Sequence, residues 1–124
     1  MLSNKKVFIT GASGGIGSAI CDKFLSEKFT LILTSSSDEK INSLKEKYGN
    51  DNFYYKIDIS DQNNIESVIK DISSTHKDIS VIVNNAGITE DNLIFRMKAQ
   101  QWNKVINTNL NSNYFIIKSL LPNM

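Results

Sequence analysis

The sequence is short of most features that mark a secreted, metal-bound or nucleic-acid-binding protein. Its one cysteine, Cys21, rules out a disulfide within the chain and makes a reducing compartment the expectation. One cysteine and one histidine are too few ligands for a structural zinc site. Charge of one sign is lacking too: the formal net charge of +1 offers no basic field for nucleic acid or an anionic membrane. No apolar run approaches the length of a bilayer span. The N-terminal residues Met1-Leu2-Ser3-Asn4-Lys5-Lys6-Val7-Phe8-Ile9-Thr10 carry charge, then an apolar run only as long as a strand. They lack the longer apolar core and small-residue cleavage site of a signal peptide. A soluble, cytoplasmic protein is expected, with neither nucleic acid nor membrane as partner. Linkers, repeats and low-complexity segments are also missing, so the 124 residues read as one domain or part of one.

What is present is a hydrophobic period that switches back and forth. Val7-Phe8-Ile9 is a strand-length apolar run ending in a glycine-rich turn. From Gly15 to Lys28, Ile16, Ile20 and Phe24 recur every four positions, the spacing of one helical face. Phe29 to Leu33 reads as a second strand, and Ile41, Leu44 and Tyr48 as a second helix stopped by Gly49-Asn50. Phe53 to Ile57 is a third strand. Asp61 is a suitable N-cap for a third helix carrying Ile65, Val68, Ile69 and Ile72. Ile79 to Val83 is a fourth strand, nearly continuous in apolar residues, as burial on both faces requires. A last helix is expected from about Gln100 to Leu121, where Pro122 disfavours its continuation. Strands alternating with helices in this way predict βαβ units and a parallel sheet with right-handed crossovers.

Between the first strand and the first helix lies Thr10-Gly11-Ala12-Ser13-Gly14-Gly15-Ile16-Gly17. This is where a phosphate site belongs: helix N-terminal amides point outward, the macrodipole favours an anion, and glycines admit a pyrophosphate close to the backbone. The spacing is G-x-x-x-G-x-G rather than the general dinucleotide fingerprint G-x-G-x-x-G. A plain glycine-rich turn is the bland alternative, and the strand–turn–helix setting argues against it.

Thr-Gly-x-x-x-Gly-Ile-Gly resembles the cofactor signature of the short-chain dehydrogenase/reductase family. Asn84-Asn85-Ala86-Gly87, at the end of the fourth strand, resembles that family's second signature. The run from Asn84 to Lys98, with Trp102 and Asn107-Thr108-Asn109-Leu110, is similar to the bacterial 3-oxoacyl-[acyl-carrier-protein] reductases of fatty-acid synthesis. The resemblance covers essentially the whole chain but only about the first half of such an enzyme. It implies a doubly wound Rossmann-type α/β sheet, strands ordered 3-2-1-4, truncated before its remaining strands, with residues 1–124 as a single NAD(P)-binding portion. It also implies that Gly11, Gly15 and Gly17 cradle the pyrophosphate, with Ser13 and Ile16 lining it. Asp58 and Ile59 would meet the adenine, and Asn84, Ala86 and Gly87 would flank the adenosine ribose.

Asn109 attracts notice independently. Trp102, Ile106, Asn109, Asn113, Ile117 and Leu120 fall on one helical stripe, so two amides interrupt an apolar face. A buried amide is costly unless hydrogen-bonded. Asn113 reads as a satisfied structural residue. Asn109 resembles the family's active-site Asn, which supports a water in the proton relay. The family's catalytic Ser, Tyr and Lys are absent on this reading. Tyr114-Phe115-Ile116-Ile117-Lys118 fits Tyr-x-x-x-Lys, but it lies in the same helix as Asn109, where an aromatic with a lysine at i, i+4 is ordinary packing.

The second strand runs out in Leu33-Thr34-Ser35-Ser36-Ser37, with no carboxylate before Asp38. An acidic residue there would bind both ribose hydroxyls and repel a 2′-phosphate, whereas small hydroxyls leave room for one. NADP(H) is therefore expected over NAD(H), with Thr34 at the ribose. The sequence departs from many NADP-dependent relatives in having Gly14 where they carry an arginine. The nearest replacement cation is Lys40, a point charge rather than a fork. The expected whole enzyme is an NADPH-dependent 3-oxoacyl-[acyl-carrier-protein] reductase, homo-oligomeric, taking its acyl thioester from acyl-carrier protein. The alternatives are another short-chain reductase with a different ketone or alcohol, and a non-catalytic dinucleotide-binding module.

Overall fold

The computed structural model describes residues 5–124; residues 1–4 of the N-terminal segment discussed above lie outside the described residues. Four strands, β1 (Lys6–Ile9), β2 (Thr30–Ser35), β3 (Phe53–Lys56) and β4 (Ile79–Val83), form one parallel sheet in the order β3-β2-β1-β4. That order follows from helical crossovers: α1 (Gly15–Ser26), α2 (Asp38–Tyr48) and α3 (Gln62–Thr75) each return the chain to the N-terminal end of the sheet. Alternate residues of the central strands then serve two cores. Val7, Ile9, Leu31 and Leu33 pack with Cys21 of α1 and Ile41 and Leu44 of α2. Phe8 and Ile32 face Ile65, Ile69 and Ile72 of α3 on the opposite side.

Local chemistry fixes where the elements stop. Asp61 caps α3, its carboxylate accepting from the amides of Asn63 (3.0 Å) and Asn64 (3.3 Å). Ser37 caps α2 through the Lys40 amide at 3.3 Å. The first helix ends at Ser26 rather than at Lys28. Lys28 takes the left-handed backbone (φ 65°), while the Phe29 amide reaches the Phe24 carbonyl at 3.0 Å and the Lys28 amide reaches Leu25 at 2.9 Å. This is a Schellman ending, closed by the rings of Phe24 and Phe29 packed edge to face, 5.0 Å between centroids.

The last helical stretch differs from the single helix expected. Helix α4 (Ala99–Ile106) runs into a π turn over Asn107–Asn111 and then into α5 (Ser112–Leu120), followed by a 3-10 turn at Leu121–Asn123. One extra residue in a turn rotates everything beyond it by about 100°. The stripe expected from a regular helix is therefore broken. Thr108, Ser112, Ile116 and Leu120 are the buried face, and α5 packs on α3, whereas Trp102 and Ile117 are exposed. On the first helix Ile20 and Phe24 of the expected face pack against the core beside buried Gly17 and Cys21, while Ile16 is exposed. Strand β4, apolar enough for a central position, is an edge of the sheet among the described residues, and Val81 to Val83 are only half-buried.

Candidate functional site

At the C-terminal ends of the strands, where ligands of open α/β sheets bind, lies a cavity of about 460 Å3. Four segments wall it: the turn after β1, the end of β2 with the start of α2, the stretch after β3 and the stretch that follows β4. Thr10 ties the first and last together, its hydroxyl accepting from the amides of Asn85 (3.1 Å) and Ala86 (3.0 Å). The Asn85 side-chain amide donates to the Gly11 carbonyl at 3.0 Å. The first turn is thereby pressed against the backbone of Ala86, and only glycine fits at two of its positions. Gly11 has a φ of 64°, and a Cβ there would stand 2.8 Å from the Ala86 Cα. A Cβ on Gly17 would overlap the Gly11 carbonyl oxygen and sit 2.9 Å from the Ala12 Cα. Gly15, by contrast, faces open space.

The start of α1 differs from that of its neighbours. Its N-cap is Gly14, no side chain caps it, and its first turn holds no acidic residue. Helix α2 has Asp38 and Glu39 in its first turn and a Ser37 cap, and α3 is capped by the Asp61 carboxylate. The leading amides of α1 are thus left to whatever occupies the cavity, with the positive end of the helix dipole behind them. Among the described residues no carboxylate lines the cavity, and Lys40 is the one charged residue in its walls.

Of the residues singled out in the sequence, Gly11, Ser13, Gly15, Ile16, Gly17, Thr34, Ile59, Ala86 and Gly87 line this cavity. Asp58, Asn84 and Asn109 do not. Asp58 turns its carboxylate to Ser60, accepting from the amide at 3.0 Å and the hydroxyl at 2.5 Å, and its own amide donates to Asn64 Oδ1 at 2.7 Å. The Asn84 side-chain oxygen is buried with no partner among the described residues. Thr34 is fully buried and its hydroxyl also has no partner among the described residues, while Ser36 is exposed. Ser35 meets Ser13 hydroxyl to hydroxyl at 3.1 Å, joining the β2 end to the glycine turn.

Asn109 lies in the π turn and clasps the backbone of Ile88, accepting from its amide and donating to its carbonyl, both at 2.8 Å. Its side-chain oxygen stands 3.2 Å from where a Cβ on Gly87 would be. The widened turn disturbs the helical ladder, and side chains serve it locally: Asn113 donates to the Asn109 carbonyl at 3.1 Å, and the Ser112 hydroxyl to the Thr108 carbonyl at 2.5 Å. Asn109 therefore acts on the cavity wall at one remove, by fixing Ile88 and Gly87. Sequence reasoning passed over Thr10, Asn85 and Ile88. Asn85 was visible inside Asn-Asn-Ala-Gly; Thr10 and Ile88 matter through backbone geometry that no residue type announces.

Residues 5–124 match the family model described as short chain dehydrogenase. The chain is 38% identical over 123 residues to the 3-oxoacyl-[acyl-carrier-protein] reductase FabG of Vibrio harveyi, a match covering 99% of this chain and 50% of that protein. It is 36% identical over 128 residues to the FabG of Staphylococcus aureus (strain Mu50), covering 100% and 52%. The chain thus spans about half the length of the curated relatives it matches. Among solved structures, ElxO with NADP bound superposes with a TM-score of 0.86 at 32% identity, over 98% of this chain and 50% of that one. The L-sorbose reductase of Gluconobacter frateurii, solved with NADPH and L-sorbose, gives a TM-score of 0.87 at 26% identity, over 99% and 48%.

Proposed function

Because the chain belongs to the short-chain dehydrogenase family, we propose that it is the cofactor-binding portion of an NADP(H)-dependent 3-oxoacyl-[acyl-carrier-protein] reductase of fatty-acid synthesis. The observation that carries this reading is the cavity itself, an uncapped helix N-terminus facing walls free of carboxylate. A dinucleotide fits these residues: Gly11 and Gly17 leave a cradle that a Cβ would fill, and Thr34 brings an orphaned buried hydroxyl to the wall.

On this reading Gly11, Gly15 and Gly17, with Ser13 and Ile16, hold the pyrophosphate against the start of α1. Thr34 lies at the ribose, and Asp58 and Ile59 at the adenine, the Asp58 carboxylate leaving Ser60 to do so. Asn84, Ala86 and Gly87 flank the adenosine ribose. When bound, NADPH supplies the hydride for the β-ketone of the acyl thioester. Asn109 is the one member of the proton relay in these residues, and it also keeps Ile88 in place at the cavity wall. Protonation of the developing alkoxide needs a Ser, Tyr and Lys that these 124 residues do not supply, so the chain alone is inactive on this proposal. The whole enzyme would be a cytoplasmic homo-oligomer receiving its substrate from acyl-carrier protein.

NADP(H) is favoured by the absence of a carboxylate at the end of β2, and by solved relatives that hold NADP or NADPH. The similarity to an L-sorbose reductase supports a second reading, a reductase of another ketone, since the same cofactor half serves a sugar there. The test joins this chain to the remaining half of the Vibrio harveyi relative and follows NADPH oxidation by acetoacetyl thioester. Turnover preferring NADPH over NADH is expected. A folded chimera that is inert, or that prefers NADH, overturns the proposal.

A further inference from the structure

A second groove, of about 450 Å3, lies between α3 and α5 and shares no residue with the cavity described above. Beneath it Ile69 and Ile72 of α3 pack with Ile116 and Leu120 of α5, which fixes the two helices side by side. Asn123 fastens their ends together, its side-chain amide donating to the Ser73 carbonyl at 3.2 Å and to the Ser73 hydroxyl at 2.6 Å. The groove is lined by Lys70 on α3, Lys77 two residues past the end of α3, and Lys118 on α5, against a single carboxylate, Glu66. That carboxylate accepts from the Gln62 side-chain amide at 3.3 Å. Asp78, next to Lys77, is taken by Lys6 at 3.0 Å. No carboxylate lies within ion-pair distance of Lys70, Lys77 or Lys118 among the described residues. The helix dipole accounts for a lysine near the end of either helix. It does not account for three that line one groove together with the half-buried Phe115.

We propose that this groove is a docking surface for an acidic amphipathic helix of a partner protein, with its apolar ridge against Phe115 and its carboxylates at the three lysines. The proposal goes beyond the cofactor reading and does not depend on it. Charge complementarity gives the sign of the partner, and the shape of the groove gives its form: the furrow between two packed helices takes the ridge of a third. A compact anion is a poorer fit. Both helices end at this groove, and their C-terminal carbonyls oppose an anion seated between them. Lysine stems instead carry the positive charge out to the rim, within reach of carboxylates spaced along a helix. Ion pairs at such a rim serve recognition and rate of encounter, and salt screens them.

The probe is a stapled helical peptide with a leucine ridge flanked by glutamates one and two turns apart, and its control is the same peptide with glutamines. Each is titrated into the isotope-labelled 124-residue chain and followed by amide chemical shifts. The amides of Lys70, Ser74, Lys77, Lys118 and Ser119 should move. The glutamate peptide should bind about tenfold more tightly than the control, as three exposed ion pairs allow. That margin should shrink as salt is raised from about 50 to about 300 mM. Combining Lys70→Gln, Lys77→Gln and Lys118→Gln should abolish it. Combining Lys23→Gln, Lys45→Gln and Lys56→Gln, an equal loss of charge elsewhere, should leave it intact. All six side chains are exposed, so the substitutions spare the core, and the amide spectrum checks this. Equal losses in the two triple variants would reduce the effect to net charge and overturn the proposal, as would no shift with either peptide. Inorganic phosphate moving the same amides as strongly would make this a compact-anion site instead. Shifts there that follow protein concentration alone would put a second copy of the chain in the groove. Either result overturns the assignment to an acidic helix.

Discussion

At the N-terminal end of the sheet, the buried imidazole of His76 has both ring nitrogens engaged. At the C-terminal end, Thr34, Asn84 and Thr108 each bury a side-chain oxygen that has no partner among the described residues. The contrast extends to what surrounds them. The Lys6 ammonium reaches His76 Nδ1 at 3.1 Å and Asp78 at 3.0 Å, and His76 Nε2 meets the Tyr55 hydroxyl at 2.9 Å. An ammonium can only donate, so Nδ1 accepts, and the ring proton sits on Nε2 and is given to Tyr55. The Phe53 ring closes the cluster, 4.4 Å from the imidazole centroid. Strands β1 and β3 and the α3–β4 connection are joined there by polar contacts. The other end is held open by glycine, and polar atoms are left waiting. Buried polar groups are ordinarily satisfied, so a cluster of exceptions at one end marks where strain and binding reside. On the proposed function, one end of this sheet holds the fold together and the other receives the ligand.

Gly15 and Gly17 sharpen that contrast most. Gly17→Ala forces a Cβ into the Gly11 carbonyl and the Ala12 Cα, and overpacking of this kind costs about 1–3 kcal/mol. Gly15→Ala meets nothing within 4 Å and relieves the glycine penalty in a helix, so stability holds or rises by up to about 1 kcal/mol. Both should weaken nucleotide binding, Gly17→Ala through the fold and Gly15→Ala by filling the phosphate space directly. Urea denaturation beside nucleotide titration separates the two. Equal losses of stability would show that the turn is not pressed against the β4 side as described.

The opposite end should declare itself through pH. Burial, then the Lys6 charge, hold the His76 imidazole below its ordinary pKa, and the Asp78 and Asp71 carboxylates offset this only in part. The folded state therefore binds a proton less readily than the unfolded chain. The stability this cluster contributes is complete above the unfolded pKa of about 6.5 and is lost as pH falls from there toward the depressed folded value. His76→Gln removes the titration. Unfolding free energies measured at pH 7.5 and 5.0 should fall more steeply for the native chain than for the variant, other carboxylates cancelling in the difference. Parallel pH profiles would mean that His76 is not held neutral. The thiol of Cys21, pushed up to about 11 by burial, stays unreactive throughout and takes a label only when the chain opens.

The two ends were unequally legible in the sequence. Strand and helix order and the Asp61 cap follow from periodicity and residue type, which are local properties, whereas the β3-β2-β1-β4 arrangement was implied by the family resemblance. The glycine turn was visible for the same reason, because its demand on residue type is absolute. The His76 cluster was not visible: a lone histidine signals only a missing metal site, and its partners Lys6 and Tyr55 stand 70 and 21 residues away in sequence. The face of the last helix was misread because the π turn shifts its register, and nothing in Asn107-Thr108-Asn109-Leu110-Asn111 announces an extra residue in the turn. Asn109 stood out as an amide on an apolar stripe, although the stripe itself is not the one that packs.

The smallest effect is expected where the sequence most resembles an active site. Tyr114 and Lys118 have the Tyr-x-x-x-Lys spacing of the family's catalytic pair, but they lie on α5, away from both ends of the comparison. Tyr114 is 59% exposed and its ring packs edge to face on Phe115, with the Lys118 ammonium 5.6 Å from the ring centroid. Neither residue lines the cavity, and Lys118 borders instead a groove between α3 and α5. A catalytic acid must come within hydrogen-bond reach of the group it protonates. Tyr114→Phe keeps the ring, the edge contact and the cation above it, and removes only a hydroxyl on an exposed face. Stability should change by less than about 0.5 kcal/mol, as for surface substitutions away from special features. In the chimera with the relative's remaining half, kcat should stay within about twofold of the parent, since no proton passes through this residue. A fall of about 10²–10⁴, the contribution of a general acid, would make Tyr114 the proton donor and move the active site from the end of the sheet to the face of α5.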